Sequence, residues 1–344
     1  MCIGQMGRTL TDPLVVVITP VFNGAGLLQG CIDSVLAQTY TSWILIVVDN
    51  VSSDESARIA SEAAARDPRI RIERSVEHLG MLDNWNRALS YAPDQAVYVK
   101  HLNVDDRMRP DCLRRLVDVA QANPGVGVVS AYFTYGSTRL PRHRHREVQI
   151  VRGPDAVAEV LHGGPSYLTH PSALLLRRSA AAVWPRFFDA TGFPPGHPHS
   201  PPMPLADKEA YFEIMARCDL AFVPEVLADV ASGESSATGF AARVGAWHAG
   251  RIESILRHGD RFLDPAGRRR AIRSAARKYL RPLVWRFCRG RPFRDPEFVQ
   301  YQDLALQYLL PRLEAEDVGW ASFGLSLAAR SLGRIAGRES YSRA

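Results

Sequence analysis

Short, wholly apolar, β-branched runs constrain this chain more than any other feature. Residues 14–18 (Leu-Val-Val-Val-Ile) and 44–48 (Ile-Leu-Ile-Val-Val) each give way at once to polar residues and then to a helical pattern. A run without polar alternation describes a strand covered on both faces, the setting of a parallel sheet between helical layers. Residues 70–72, 96–100 and 127–130 repeat the theme. Between them lie helical patterns: Leu27, Leu28, Cys31, Ile32, Val35 and Leu36 after Gly24 and Gly26; an Ala-rich stretch to about Arg66 that Ser52, Ser53 or Asp54 can cap; residues 85–91; and a helix opened by Pro110 and Asp111. Strand and helix alternating through short connections predict an α/β fold, a mainly parallel sheet with helices on both faces. Such sheets bind ligands beyond the carboxyl ends of their strands. Here those ends carry residues 19–23, Asp49-Asn50, and residues 103–106, three polar clusters fit to share one crevice.

Later segments differ in texture. Residues 139–146 form a basic, histidine-containing loop, and residues 185–204 are rich in Pro, Gly and His, as binding loops often are. Asp207 opens a helix, residues 220–223 return as a strand, and helical spacing follows around residues 247–256, 272–287 and 301–310. The expected organisation is an N-terminal tail (1–13), an α/β domain (14–239, halves 14–135 and 136–239) and a basic helical C-terminal region (240–344). Charge divides at the same place, with 22 basic and 26 acidic residues up to 239 but 20 basic and 10 acidic beyond. A chain 46% apolar and 23% charged is not a collagen, a coiled coil or a disordered polymer. No apolar run approaches the ~18 residues of a membrane-spanning helix, and the first residues lack a secretory signal's pattern. The 5 cysteines, without a C-x-x-C pair, suit a reduced cytoplasm rather than a disulfide framework or zinc site.

Asp105 and Asp106, just past an apolar strand, are oxygen donors suited to Mg²⁺ or Mn²⁺, for which one or two carboxylates suffice when substrate phosphates complete the shell. Alone they read more readily as a solvated turn, with Asp111 capping the next helix. Four segments in order change that: Val17-Ile-Thr-Pro-Val-Phe-Asn23, Ile46-Val-Val-Asp-Asn-Val-Ser-Ser-Asp54, His78-Leu-Gly-Met-Leu-Asp-Asn-Trp-Asn-Arg-Ala-Leu89 and Tyr98-Val-Lys-His-Leu-Asn-Val-Asp-Asp106. Together they resemble the donor-binding turn, the V-D-D-G-S-x-D segment, the N-x-G-x-x-x-N-W-N-x-A-L segment and the D-x-D strand of family 2 glycosyltransferases, which have the GT-A fold. The resemblance runs from residue 14 to about 238. It implies inverting transfer from a nucleotide-sugar donor, UDP- or dTDP-linked, to a saccharide or lipid-linked saccharide acceptor in cell-surface glycan synthesis.

Residue by residue, the resemblance implies that Asp49 accepts a hydrogen bond from the base, with Thr19, Val21 and Asn23 lining that pocket. Asn84, Asn86 and Arg87 would lie near the sugar or diphosphate, unless they are merely the polar face of a helix. Asp105 would be the main metal-linked carboxylate, with Asn103 and Asp106 beside it and Mn²⁺ or Mg²⁺ as cofactor. Ala206-Asp-Lys-Glu209 matches the family's acidic segment, making Asp207 the candidate base and Glu209 the next; capping of a helix is the plainer role for Asp207. His170, just before Pro171, falls on the acceptor side or serves structure.

Several positions depart from the family's pattern. Asn103 replaces its first metal-motif carboxylate, Asn50 and Val51 stand where it has Asp and Gly, and Val230-Ala-Ser-Gly233 lacks its Arg and His. Arg243 or the histidines of residues 185–204 are candidate replacements. These departures motivate a rival reading as a catalytically silent binding or assembly module. Gly24, Gly26 and Gly30 before Asp49 roughly match a nicotinamide-dinucleotide fingerprint, but the first glycine comes too late after the strand. Residues 268–291 hold ten basic and no acidic residues interleaved with Ile272, Tyr279, Leu280, Leu283, Trp285 and Phe287. They suit either peripheral docking on an anionic inner membrane face or packing against the protein. No nucleic-acid module accompanies that charge.

Overall fold

The computed structural model describes residues 12–142, 144–164, 166–181, 187–189, 193–194, 205–231, 237–288 and 295–316. The first half alternates as its apolar runs demand: β1 (Val15–Val21), α1 (Ala25–Leu36), β2 (Trp43–Asp49), α2 (Ser56–Arg66), β3 (Ile70–Arg74), α3 (Met81–Ser90) and β4 (Tyr98–His101). A short β5 (Arg107–Met108) and α4 (Cys112–Ala122) lead to the long β6 (Val126–Tyr135) and its partner β7 (Thr138–Leu140). Then come β8 (Gln149–Val151), α5 (Gly153–His162), β9 (Leu174–Arg177), α6 (Ala206–Met215) and β10 (Asp219–Val230). The chain continues as α7 (Ala237–Arg243), α8 (Ala246–Phe262), α9 (Pro265–Cys288) and α10 (Pro296–Ala315).

One sheet runs β3-β2-β1-β4-β9-β6-β10-β5. The long ladders β1–β2, β2–β3, β1–β4 and β6–β10 are parallel, while β9, β5, β7 and β8 pair antiparallel over two or three residues each. Side chains alternate across each strand, so Val15, Val17, Leu45 and Val47 pack with α1, α2 and α4 on one face. Val16, Ile18, Ile46 and Val48 face α3, α5 and α6 on the other. The expected mainly parallel sheet with helices on both faces is the observed one.

That second apolar cluster continues without a break into Ile252, Ile255, Ile272, Tyr279 and Leu306 of the C-terminal helices. Arg251 of α8 donates to the carbonyls of Leu161 and His162, the last turn of α5. It fills the space over Gly163, whose φ of +68° favours a residue without a side chain. Ala271, Ile272, Ala275, Tyr279, Leu280 and Leu283 on α9 are buried against the protein, so the apolar stripe of this basic segment is committed to the core over its described length. The side chains of Trp285 and Phe287 lie outside the described residues, as does most of 185–204.

One capping expectation fails because a tertiary partner takes the side chain: Asp111 makes no cap on α4 and accepts instead from Thr39 Oγ1. Asp54 does both jobs, its Oδ1 accepting from the Ser56 N–H at the start of α2 at 3.0 Å and its Oδ2, like Ser52 Oγ, holding the turn between β1 and α1. The basic stretch at 139–146 is not all loop, since residues 139 and 140 belong to β7.

Candidate active site

The register of β1 and β2 puts Val21 opposite Asp49 at their carboxyl ends. Beyond them Asn23 takes φ of 48°, a left-handed conformation that Asn tolerates better than other side-chain-bearing residues. Its Oδ1 accepts from the Ser53 N–H at 2.8 Å. Three successive backbone N–H groups, from Asn23, Gly24 and Ala25, donate to Ser52 Oγ, Ser56 Oγ and Asp54 Oδ2 at 3.0, 2.9 and 2.9 Å. A dinucleotide turn keeps such groups free for pyrophosphate; here they are spent, and Gly30 is packed under the Arg107 guanidinium. Gly24 and Gly30 therefore serve packing, and Gly26 faces open space.

Asp49 is buried. Its Oδ1 accepts from the Ser52 N–H at 3.2 Å, while Oδ2 has no hydrogen-bond partner and lies 3.7 Å from Arg74 Nε. Next to it a cavity of about 280 Å³ is lined by Val21, Phe22, Asn50, His78, Met81, Asn84 and Trp85 among others. Half-exposed Phe22 and the His78 ring, with centroids 4.4 Å apart, form an aromatic wall. The Asn50 amide grips Leu79 twice, donating to its carbonyl at 2.8 Å and accepting from its N–H at 3.0 Å. A carboxylate has no donor for the first of these bonds, which gives a physical reason for Asn at this position. Arg87 braces the same corner through Asn50 Oδ1, Asn84 Oδ1 and the Glu77 carbonyl at 2.5, 3.1 and 3.1 Å.

The expected pocket set is corrected at three places. The side chain of Thr19 is fully buried, with Oγ1 3.9 Å from Cys31 Sγ of α1. Asn23 shapes the turn and is not among the lining residues. Asn86 is committed to the backbone of residues 187 and 188, accepting from both N–H groups and donating to the Phe188 carbonyl.

Met81 and Trp85 also border a second cavity of about 560 Å³, so the two meet along α3. Asn103, Asp105, His170, Asp207, Lys208 and Trp247 line the larger one, with much of the remaining wall apolar. The neighbouring acids at 105 and 106 separate completely. Asp106 is buried with both oxygens engaged: Oδ2 accepts from Ser172 Oγ at 2.5 Å and Oδ1 from the Ala231 N–H at 3.0 Å. Lys100, also buried, donates to the Ser172 carbonyl, and burial lowers its pKa to about 8. Asp106 thus ties the end of β4 to the start of β9 and the end of β10, which corrects its expected place as a metal carboxylate.

Asp105 faces the cavity and makes no ion pair among the described residues. Burial, and next the charge of Asp106, raises its pKa. His101 stacks on Trp85 at 4.2 Å and bonds Asn103 Oδ1 through Nε2 at 3.1 Å; burial holds its pKa down at about 3, so the ring is neutral. Among the described residues no group of three or more acidic, histidine or cysteine side chains is arranged to hold a metal. One free carboxylate beside a polar amide fits a Mg²⁺ or Mn²⁺ ion that takes most of its ligands from substrate phosphates, and does not fit an all-protein metal cage.

Asp207 and Glu209, at the start of α6, also part. Asp207 points into the larger cavity without a capping bond, and burial raises its pKa against the nearby Lys208 ammonium. Glu209 is buried toward α8, with Oε2 3.3 Å from His258 Nε2 and 3.8 Å from Arg257 Nη1. It does not line the cavity. His170 lies on the cavity wall, its Nδ1 accepting from the Ser172 N–H at 3.3 Å and burial lowering its pKa to about 4. Arg243 is engaged with Asp295 and Glu297 at the start of α10, and the histidines at 197 and 199 lie outside the described residues. Ser172, Lys208 and Trp247 were not among the residues that the sequence singled out. Only Lys208 carried a signal, as a rare lysine beside a candidate base.

Residues 1–349 of TarS from S. aureus, in a crystal structure with UDP-GlcNAc, match this structure with a TM-score of 0.63 at 13% identity, covering 96% of this chain and 91% of that one. At that identity the likeness establishes the fold, and the protein is of the GT-A class. Sequence narrows it further. Residues 16–184 match the model described as Glycosyl transferase family 2, and that stretch of the chain belongs to the family. An uncharacterized protein of Mycobacterium tuberculosis is 30% identical over 230 residues, 62% of this chain and 66% of that protein. TuaG of Bacillus subtilis, a glycosyltransferase assigned provisionally to teichuronic acid biosynthesis, is 34% identical over 106 residues, 31% of this chain and 41% of its own length. The chain thus spans less than two-thirds of either relative.

Proposed function

We propose that the protein is an inverting glycosyltransferase that moves a sugar from a UDP- or dTDP-linked donor to a saccharide or lipid-linked saccharide hydroxyl in cell-surface glycan synthesis. One observation carries the reading: buried Asp49, whose Oδ2 has Arg74 at 3.7 Å but no hydrogen bond, directly precedes Asn50 on the wall of a small cavity, and that cavity meets, along Met81 and Trp85, a larger one faced by Asp105 and Asp207. An acceptor-only carboxylate suits the imide N–H of uracil or thymine, and Phe22 with His78 offers the base an aromatic wall. A relative named for teichuronic acid biosynthesis and a fold neighbour holding UDP-GlcNAc support the same choice.

In this reading the base lies against Phe22 and His78 with its imide on Asp49. The diphosphate extends past Trp85 to Asp105, where a bound Mg²⁺ or Mn²⁺ would neutralise the charge of the departing group. The neutral His101 holds Asn103 Oδ1 at 3.1 Å while the Asn103 backbone N–H donates to Ser172 Oγ at 3.1 Å, which fixes the amide beside Asp105. Asp207 accepts the proton of the attacking hydroxyl, and its raised pKa makes it a better base than an ordinary carboxylate. The apolar wall excludes water that would otherwise compete for the donor. Glu209 carries no proton in this scheme and holds α6 to α8.

Melting curves with UDP, dTDP and GDP, each with and without Mn²⁺, test the donor. UDP or dTDP should raise the Tm, Mn²⁺ should add to it, and Asp105→Ala should remove the Mn²⁺ increment alone. Indifference to all three nucleotides sinks the reading. UDP binding with no turnover of UDP-sugars, even with a panel of saccharide acceptors, would instead favour the silent module. We place the outer face of α9, with exposed Arg269, Arg270, Arg273, Lys278 and Arg281, against an anionic lipid surface. Flotation with phosphatidylglycerol vesicles should fall away with salt, and binding to neutral vesicles as strong as to anionic ones rejects that placement.

A further inference from the structure

We infer that Lys208 holds the β-phosphate of the donor, supplying the positive charge that the larger cavity otherwise lacks. The inference rests on the proposed nucleotide-sugar reading and assigns a residue to a charge that this reading leaves uncompensated. The diphosphate of a nucleotide sugar brings two negative charges to the cavity, about three once the sugar has left, and the ionised Asp105 and Asp207 add two. A single divalent cation offsets two. An excess of negative charge in a partly apolar enclosure is costly, so a fixed cation is required at the wall.

The described residues leave one candidate. No arginine lines either cavity, and Lys208 is the lysine that does. Val230 and Ala231, at the end of β10, reach the same wall but bring no charge. Arg243 is held by two carboxylates of the α10 start. Lys100 lies behind the wall, fully buried in β4 and bonded to the Ser172 carbonyl. Arg87 is spent on Asn50, Asn84 and the Glu77 carbonyl. Arg74 is paired with Asp49 and lines neither cavity.

Lys208, by contrast, forms no ion pair or side-chain hydrogen bond among the described residues, and it is half-buried in the first turn of α6. Burial lowers its pKa while the adjacent Asp207 opposes the shift. An ammonium in that position gains most from an anion that arrives with the substrate, since a charge-assisted bond in a shielded site is stronger than one in water. Its flexible stem lets the ammonium act as a point charge toward phosphate oxygens without fixed angular demands.

Comparing UDP with UMP isolates the β-phosphate. Titration calorimetry on the full chain with Mn²⁺ should show wild type preferring UDP to UMP. Lys208→Met should cut UDP affinity about tenfold or more and leave UMP within about twofold, collapsing the preference; Lys208→Arg should restore most of it. Equal losses for both ligands, or no loss for either, overturn the assignment. A circular-dichroism melt of each variant separates misfolding from lost binding, and a misfolded Lys208→Met is replaced by Lys208→Gln in the same test. If wild type binds neither UDP nor UMP, the donor reading itself has failed; if it binds both and the variant leaves their ratio unchanged, only the role of Lys208 has.

Discussion

The two cavities that meet at Trp85 are built on opposite principles. In the smaller, the amide side chains of the wall are already paired within the protein: Asn50 with the Leu79 backbone, and both Asn50 and Asn84 with Arg87 behind them. One oxygen, Oδ2 of Asp49, is left over. In the larger, Asp105, Asp207 and Lys208 stand without ion pairs among the described residues, and burial pushes all three toward their neutral forms. A paired network fixes shape, which recognition of an invariant nucleotide needs. Unpaired, desolvated charges store reactivity, which transfer needs. The contrast predicts that substitutions in the larger cavity act mainly on turnover, and those in the smaller mainly on nucleotide affinity.

Asp207→Asn offers the hardest test. Loss of a general base costs about 10²–10⁴ in kcat, with UDP affinity unchanged by calorimetry. A matching loss in UDP affinity would erase the division between the cavities. The pH profile sharpens the same point. A base must be ionised to act, and burial holds the Asp207 pKa above the ordinary carboxylate value of about 3.9. The acid limb of kcat/KM should therefore fall through that raised value as pH decreases, and Lys208→Met, by removing the opposing ammonium, should move it higher still. Asp49→Ala comes next. Losing a hydrogen bond to a charged acceptor costs about 1.5–3 kcal/mol, roughly ten- to a hundredfold in UDP affinity at 1.4 kcal/mol per decade, and kcat at saturating donor should be nearly unaffected. A fall in kcat with affinity intact reverses the assignment of the two ends.

How much of this was legible follows from where each part is encoded. The sheet was legible because each strand is a contiguous apolar run, and the meeting of Val21 with Asp49 because both sit at the ends of such runs. The different fates of Asp105 and Asp106 were not. They depend on Ser172 and Ala231, which are 66 and 125 residues from Asp106, and no local spacing records that contact. The larger cavity is likewise assembled from segments scattered between Met81 and Trp247. Asp207 and Glu209 are a different case. Two residues apart on a helix means a rotation of about 200°, so helical periodicity by itself excludes a shared role for both. Thr19 was also readable in principle: it shares the alternation of Val15 and Val17, which places its side chain toward α1 and away from the ligand.

Asn50→Asp probes the scaffold of the smaller cavity with a gentler change. The substitution keeps the acceptor for the Leu79 N–H and for Arg87 but removes the donor to the Leu79 carbonyl, at a cost of about 1 kcal/mol. Hydrogen exchange at residues 78–80 should quicken and UDP affinity should drop severalfold, without a change in kcat. An unaltered exchange rate would mean that the loop is fixed by something other than this amide.

Thr19→Val gives the smallest expected effect and addresses where the base pocket ends. Valine nearly matches threonine in volume, and the hydroxyl it replaces has a long contact to Cys31 Sγ as its bond. The Cys31 thiol is itself inert, its pKa pushed up to about 12 by burial. Removing both the donor and most of its desolvation cost leaves stability within about 1 kcal/mol of wild type, read as the urea midpoint. UDP affinity should stay within twofold, because a side chain packed on α1 cannot reach a base bound on the other side of the strand end. A tenfold loss would mean that the hydroxyl turns outward when nucleotide arrives. The smaller cavity would then rearrange on binding, and the contrast between a finished recognition site and a poised reactive one would no longer separate the two ends of the cleft.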